Sequence, residues 1–199
     1  MREYTIARTY GAPDFSVVDT LPIDTLLWCP EVPITAQAQI CYDETALYVR
    51  LSAQEPNIRA EERGPLGVPC EDSCLEFFFC PAEGDDRYLS IECNPNGCLY
   101  LGFCNTGRRI IRLVPDCVEA IDPVIDMTEE GWSVTYAVPA SYVRLFFPEF
   151  KLKSGVSIRA NCYKCGDKTV QEHYMSWNPV EVVEPDFHVP AFFGKMTLA

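Results

Sequence analysis

Histidine occurs only twice in the 199 residues, at 173 and 188, and the cysteines do not make up for that scarcity with a local metal motif. A structural zinc site read from spacing needs two close ligand pairs, or one pair with two histidines. The chain offers one CxxC, Cys162 to Cys165, and one CxxxC, Cys70 to Cys74. Both read as ordinary strand and loop residues. Positive charge is also scarce: 16 Lys and Arg face 29 Asp and Glu, for a formal net charge of −13 and a pI near 4.5. Such a surface repels phosphate backbones and anionic headgroups, which excludes nucleic acid and membranes as expected partners. No apolar run approaches the ~20 residues of a membrane span. The opening MREYTIARTYGAPDF has no apolar stretch of the secretory kind, so the chain as written reads as cytoplasmic, and as extracellular only if a leader was removed. There is no GxSxG nucleophile elbow and no glycine-rich phosphate loop.

What is present is a soluble globular composition, 48% hydrophobic and 23% charged, sized for one domain spanning 1–199. Eleven cysteines without a secretory signal read as reduced, mostly packing thiols. Sixteen prolines and eleven glycines punctuate short β-branched and aromatic segments. Many alternate with period two, and long helical patterns are missing. Strands are expected at Ala36–Tyr42, Ala46–Ala53, Cys74–Cys80, Arg87–Asn94, Gly97–Phe103, Arg108–Val114, Val118–Ile125, Trp132–Val138, Ser157–Tyr163, His173–Trp177 and Phe193–Leu198. Turns fall at Tyr42–Thr45, at Asn94-Pro95-Asn96-Gly97 and at Glu129-Glu130-Gly131. One short helix is expected near 140–147, after Pro139. The fold class is therefore all-β: an antiparallel β-sandwich of jelly-roll or immunoglobulin-like type, with ten or so strands.

Alternation sorts the side chains onto two faces. Leu47, Val49 and Leu51, then Leu89, Ile91 and Cys93, then Ile158, Ala160 and Cys162, face the core. Opposite them stand Tyr48, Arg50 and Ser52, then Tyr88, Ser90, Glu92 and Asn94, then Arg159, Asn161 and Tyr163. If these strands share a sheet, their second face carries the planar and forked donors and acceptors that suit hydroxyl groups. A solvated outer sheet laced with Arg–Glu pairs gives the same pattern. In Cys74–Cys80 both faces are largely apolar, so the strand is central and Glu76 needs a partner, Arg50 or Arg159. Glu76 and Glu92 can also be read as a glycosidase pair. Asp72, and Asp85 and Asp86 in the acidic turn Glu83–Asp86, offer hard oxygen ligands to calcium, though not at EF-hand spacing.

The order of segments QAQICYDETALYVRLSAQEPNIRA, EDSCLEFFFCP, RYLSIECNPNG, GWSVTYAVP, ANCYKCGD, HYMSWNPV and PDFHVPAFFGKMTL resembles the family-9-like carbohydrate-binding modules. These were first known as accessory modules of xylanases. The resemblance runs over roughly residues 20–199. It implies a non-catalytic β-sandwich that holds a small saccharide or a polysaccharide chain end between two aromatic rings, above polar residues that bond its hydroxyls. It maps Glu76, Glu92 and Asn94 onto those polar residues and Trp177 onto one ring. Arg50, Arg159, Asn161 and Asn178 complete the expected ligand-binding set. Where the family places a second tryptophan, just before D-S-x-x-E, this chain has Cys70. The alternatives are a haem-binding electron-transfer sandwich, ligated from Met127, Met175, His173 or His188, a glycoside hydrolase using Glu76 and Glu92, and an interaction domain without a ligand.

Overall fold

The computed structural model describes residues 1–82, 84–105, 107, 110–113 and 121–199. Among the described residues, fourteen strands form two packed sheets joined through one shared strand. In chain order they are β1 (Glu3–Arg8), β2 (Leu21–Ile23), β3 (Thr25–Leu27), β4 (Thr35–Tyr42), β5 (Ala46–Gln54), β6 (Cys74–Cys80), β7 (Tyr88–Cys93), β8 (Leu99–Cys104), β9 (Ile110–Leu113), β10 (Val124–Met127), β11 (Gly131–Pro139), β12 (Ser157–Gly166), β13 (His173–Ser176) and β14 (Gly194–Leu198). One sheet runs β9-β8-β7-β6-β12-β14-β1, with β13 beside the end of β12 and β3 beside β13. The other runs β10-β11-β5-β4, with β2 and β1 along β4.

The expected sandwich is thus present, with two corrections. The strand count exceeds ten, because β1 to β3 precede the first strand the pattern marks. β2 and β3 have three residues each, too few for a period to show, and in β1 only Ile6 is buried. The pairing is also mixed rather than antiparallel, since β1 lies parallel to both β4 and β14. The one α-helix among the described residues, α1, covers Ala140–Arg144 and stops short of 147. Phe146 and Phe147 turn onto Phe103, and Pro148 disfavours helical backbone at the residue before it. The expected strands Arg108–Val114 and Val118–Ile125 fall partly outside the described residues, as does Glu83.

The turns follow their chemistry. Gly97 takes φ +72° and its N–H returns to the Asn94 carbonyl. The Asp43 carboxylate accepts from the N–H groups of Thr45 and Ala46.

Between the sheets lies the main core. It takes Leu75, Phe77 and Phe79 from β6, Leu89 and Ile91 from β7 and Ile158 and Cys162 from β12. Val49 and Leu51 from β5 and Trp132 and Val134 from β11 meet them. The inward and outward assignments from alternation hold. The surprise is a second core on the outer face of the first sheet. There Phe78, Cys80, Tyr88, Cys104 and Tyr163 are covered by the segment 177–193, with Val180, Phe187, Val189 and Phe193 packed on them. This part of the outer face is therefore roofed over, and the candidate site lies beside it.

Two polar clusters hold this arrangement. At one end, Lys164 is fully buried and donates to the Cys165 carbonyl at 2.9 Å, bonds His173 Nε2 at 2.7 Å and pairs with Glu55 at 3.2 Å. Glu55 also accepts from Trp132 Nε1 and Ser73 Oγ, so the cluster ties β12 and β13 to the end of β5 and to β11. Near the other, the Asn161 side chain bonds both the N–H and the carbonyl of Asn178. Asn178 in turn reaches the Phe192 carbonyl and receives the Arg2 N–H.

Candidate functional site

β6 and β7 place Glu76 directly across from Glu92. Both point to the outer face, 2% and 7% exposed, and both line an open pocket of about 200 Å³. Its walls come from Trp28, Tyr174 and Phe187, and its remaining lining includes Cys70, Cys165, Asp167 and His188. Trp28 is the one described non-glycine residue with positive φ, +48°. A bulky residue there is strained, and such strain gathers at functional sites. The indole is fixed by a 2.7 Å bond from Nε1 to the Val182 carbonyl, and by contacts with Tyr174 and Phe187, each with centroids at 5.8 Å. Phe187 is itself stacked on Tyr163 at 4.1 Å. His188 bonds the Tyr88 hydroxyl through Nδ1 at 2.9 Å.

The electrostatics of the floor are unusual. Burial pushes the Glu76 carboxyl up to about 7, against the Cys165 thiol, which donates to it at 3.1 Å. Burial, and then the neighbouring Glu76, drives Glu92 well above the usual carboxylate range. Among the described residues no cation forms a contact ion pair with either, though the Lys164 charge acts on Glu76 and the Arg112 charge on Glu92, and none of the causes acting on Glu92 is a hydrogen bond. Burial and the repulsion of like charges on adjacent strands both favour retention of a proton by the pair. A protonated carboxyl beside an ionisable one presents a donor and several acceptors on a small area.

Of the eight residues expected to bind ligand, the structure brings two together, Glu76 and Glu92. Trp177 is 3% exposed and lies in the main core, its ring against Gly194, where an added Cβ would sit 2.5 Å from it. Alternation explains this: Trp177 shares its parity with Met175, a core residue, while Tyr174 points to the outer face. Asn94 is buried in its own turn, donating to Asp72 and the Glu62 carbonyl and accepting from the N–H groups of Asn96 and Cys98. Arg159 donates to the carbonyls of Pro190 and Asp85, and Asn161 and Asn178 bond each other, so all three anchor the covering segment. Arg50 belongs to the other sheet. It lines a hollow of about 270 Å³ with Gln37, Ser52, Asp126 and Ser133 on the opposite face of the molecule. Neither arginine partners Glu76.

Residues missed by sequence reasoning are Trp28, Tyr174, Cys165, Asp167 and Phe187. Tyr174 was readable from strand parity; Trp28 and Phe187 arrive from irregular segments that no period marks. Two of the calcium candidates, Asp72 and Asp85, already accept hydrogen bonds and form ion pairs. Asp72 accepts from the N–H groups of Glu61 and Glu62 and pairs with Arg59, and Asp85 forms a fork with Arg87. Groups that aim N–H at a carboxylate do not suit a cation there. The haem candidates scatter: Met175 is in the main core, Met127 on the edge strand β10, His173 in the Lys164 cluster and His188 at the pocket.

A family model, Carbohydrate-binding family 9, matches residues 11–198. The chain is a member of carbohydrate-binding family 9. Solved structures agree on the fold. A protein of Bacteroides uniformis ATCC 8492 assigned to carbohydrate binding superimposes with a TM-score of 0.85 at 26% identity, covering 100% of this chain and 99% of that one. A family 9 module of Caldicellulosiruptor kristjanssonii in complex with glucose gives 0.73 at 11% identity, covering 100% and 96%. The same organism's module with cellotriose gives 0.72 at 12%, covering 99% and 93%. Among curated proteins none matches the chain. No described helix is long and apolar enough to cross a membrane.

Proposed function

We propose that this family 9 module binds carbohydrate without acting on it, and that the pocket over Glu76 and Glu92 takes one sugar ring, free or at a chain end. The observation that carries this is the union of an aromatic wall with a carboxyl floor in one open pocket. Trp28 and Tyr174 offer a ring face and edge to the C–H surface of a sugar. Glu76 and Glu92 offer acceptors and one retained proton to its hydroxyls. At about 200 Å³ the pocket is smaller than the ~300–1,000 Å³ of drug-sized sites, which favours a single ring over a bound chain. Glucose and cellotriose are the sugars held by the Caldicellulosiruptor module, and a β-glucoside end is the first ligand to try.

Hydrolysis is disfavoured by the same geometry. A glycosidase sets its two carboxyl groups on either side of the scissile bond. Glu76 and Glu92 are cross-strand neighbours on one sheet face and both approach a ligand from below. A non-catalytic role follows.

Isothermal titration against glucose, xylose, galactose, cellobiose and cellotriose tests this reading. We expect heat with at least one sugar, lost in Trp28→Ala. The loss of a stacking ring costs ~1–3 kcal/mol by analogy with bases stacked on aromatic rings. Absence of heat with every sugar at millimolar concentration would overturn the reading.

A further inference from the structure

The pocket floor holds a second chemistry that sugar recognition does not need. Cys74 and Cys165 face each other across β6 and β12, and Glu76 follows Cys74 by two residues on the same face. The ligand atoms of these three lie within 4.8 Å of one another, and all three side chains are buried. Tetrahedral zinc, with bonds of ~2.3 Å to sulfur and ~2.0–2.2 Å to oxygen, sets neighbouring ligand atoms ~3.5–3.8 Å apart, so small side-chain adjustments suffice. The CxxC motif plays no part as a motif: Cys162 points into the main core and only Cys165 reaches the outer face. The cluster forms across strands, where no sequence spacing reveals it.

Glu92 is an independent sign of a missing ligand. It is more than nine-tenths buried, opens onto the same pocket next to Glu76, and makes no hydrogen bond or contact ion pair among the described residues, the Arg112 charge acting on it only from a distance. Cys70 and Asp167 add two further donors to the lining. A set of two thiols and carboxylates is suited to a soft or borderline divalent ion and poorly suited to calcium or magnesium.

We propose that Cys74, Cys165 and Glu76 bind a thiophilic divalent cation of the Zn²⁺ class, with its fourth position facing the pocket beside Glu92. On binding, both thiols give up their protons and a neutral thiol pair becomes a thiolate pair under the ion's charge. The open fourth position can accept water or a ligand hydroxyl. The ion stabilises the fold, since unfolding separates β6 from β12. The proposal stands on the ligand cluster and not on sugar binding, so a protein that binds no sugar leaves it intact.

Co²⁺ and Zn²⁺ titrations of reduced, chelator-treated protein test it. We expect one equivalent of Co²⁺ to give a near-ultraviolet thiolate-to-metal band and the intense visible bands of tetrahedral cobalt, both bleached by Zn²⁺. Cys165→Ser and Cys74→Ser lose the near-ultraviolet band, whereas Cys41→Ser, a buried thiol on β4, keeps it. Should the serine variants fail to fold by circular dichroism, the near-isosteric Glu76→Gln decides, with Zn²⁺ affinity falling by roughly tenfold or more. The absence of a thiolate band in the wild type overturns the proposal. So does its survival at full strength in a folded Cys74→Ser/Cys165→Ser double variant, or an unchanged Zn²⁺ affinity in Glu76→Gln.

Discussion

Replacing Lys164 by methionine is expected to cost ~3–5 kcal/mol of folding stability, the usual penalty for removing one partner of a buried ion pair. At ~2–4 °C per kcal/mol for a chain of this size, the melting temperature falls by about 10 °C. The ammonium is fully buried and touches three acceptors, the Cys165 carbonyl, His173 Nε2 and Glu55. Its loss leaves the Glu55 carboxylate buried with only the Trp132 and Ser73 donors. His173 is a poor replacement cation, because burial, the larger cause of its lowering, persists in the variant while only the Lys164 contribution is removed. Burial first, and then the Lys164 charge, lower it to about 4, and its Nδ1 side faces the Gln171 carbonyl, which keeps Nε2 as the acceptor for Lys164. The double variant Lys164→Met/Glu55→Gln should recover part of the loss, because no uncompensated charge then remains. Thermal melts of the three proteins check this. Equal destabilisation of the single and double variants would show that packing, not charge, sets the cost.

Glu76→Gln is expected to change the pH dependence of stability in a defined direction. The native carboxyl titrates at about 7 against an ordinary value of 4.5, so the folded state holds its proton more tightly than the unfolded chain. That contribution is fully present below pH 4.5 and is lost as pH rises through 7. The shift is about 7 less 4.5, and at ~1.4 kcal/mol per pH unit the wild type gives up on the order of 3 kcal/mol across the window. Glutamine does not titrate, so the variant gains on the wild type by that order between pH 4.5 and 8. Glu92, Asp167, Cys74 and Cys165 surround the site and remain in the variant. Urea unfolding of both proteins at pH 5 and pH 8 measures the difference. A constant gap between the two curves would mean that Glu76 is ionised at both pH values.

Much of the fold was legible because its cause is local. Period-two alternation set Leu47, Val49 and Leu51 against Arg50 and Ser52. The Asn94–Gly97 turn followed from positive φ at Gly97, and the burial of CLEFFFC on both faces followed from its having apolar residues on both. Which strands share a sheet was not legible, since that depends on pairing across the whole chain. Arg50 and Glu92 share a pattern yet face opposite sides of the sandwich.

The candidate site divided the same way. Glu76 and Glu92 were placed by parity and by family resemblance together. Trp177 was placed by resemblance alone and sits in the core, where parity would have put it. Asn161, Asn178 and Arg159 looked like ligand contacts because a covering segment and a sugar ask for the same hydrogen bonds. Trp28 and Phe187 come from irregular stretches about 160 residues apart in sequence, and only folding brings their rings to 5.8 Å.

The most direct test of the sugar site is an NMR titration of labelled protein with the best-binding saccharide, following the Trp28 indole N–H and the amides of Glu76, Glu92 and Tyr174. The account predicts saturable shifts confined to these residues and their neighbours on the outer face of the first sheet, with the Trp132 and Trp177 indoles unmoved. Shifts clustered instead around Arg50, Ser52 and Ser133 would place the binding face on the other sheet and contradict it.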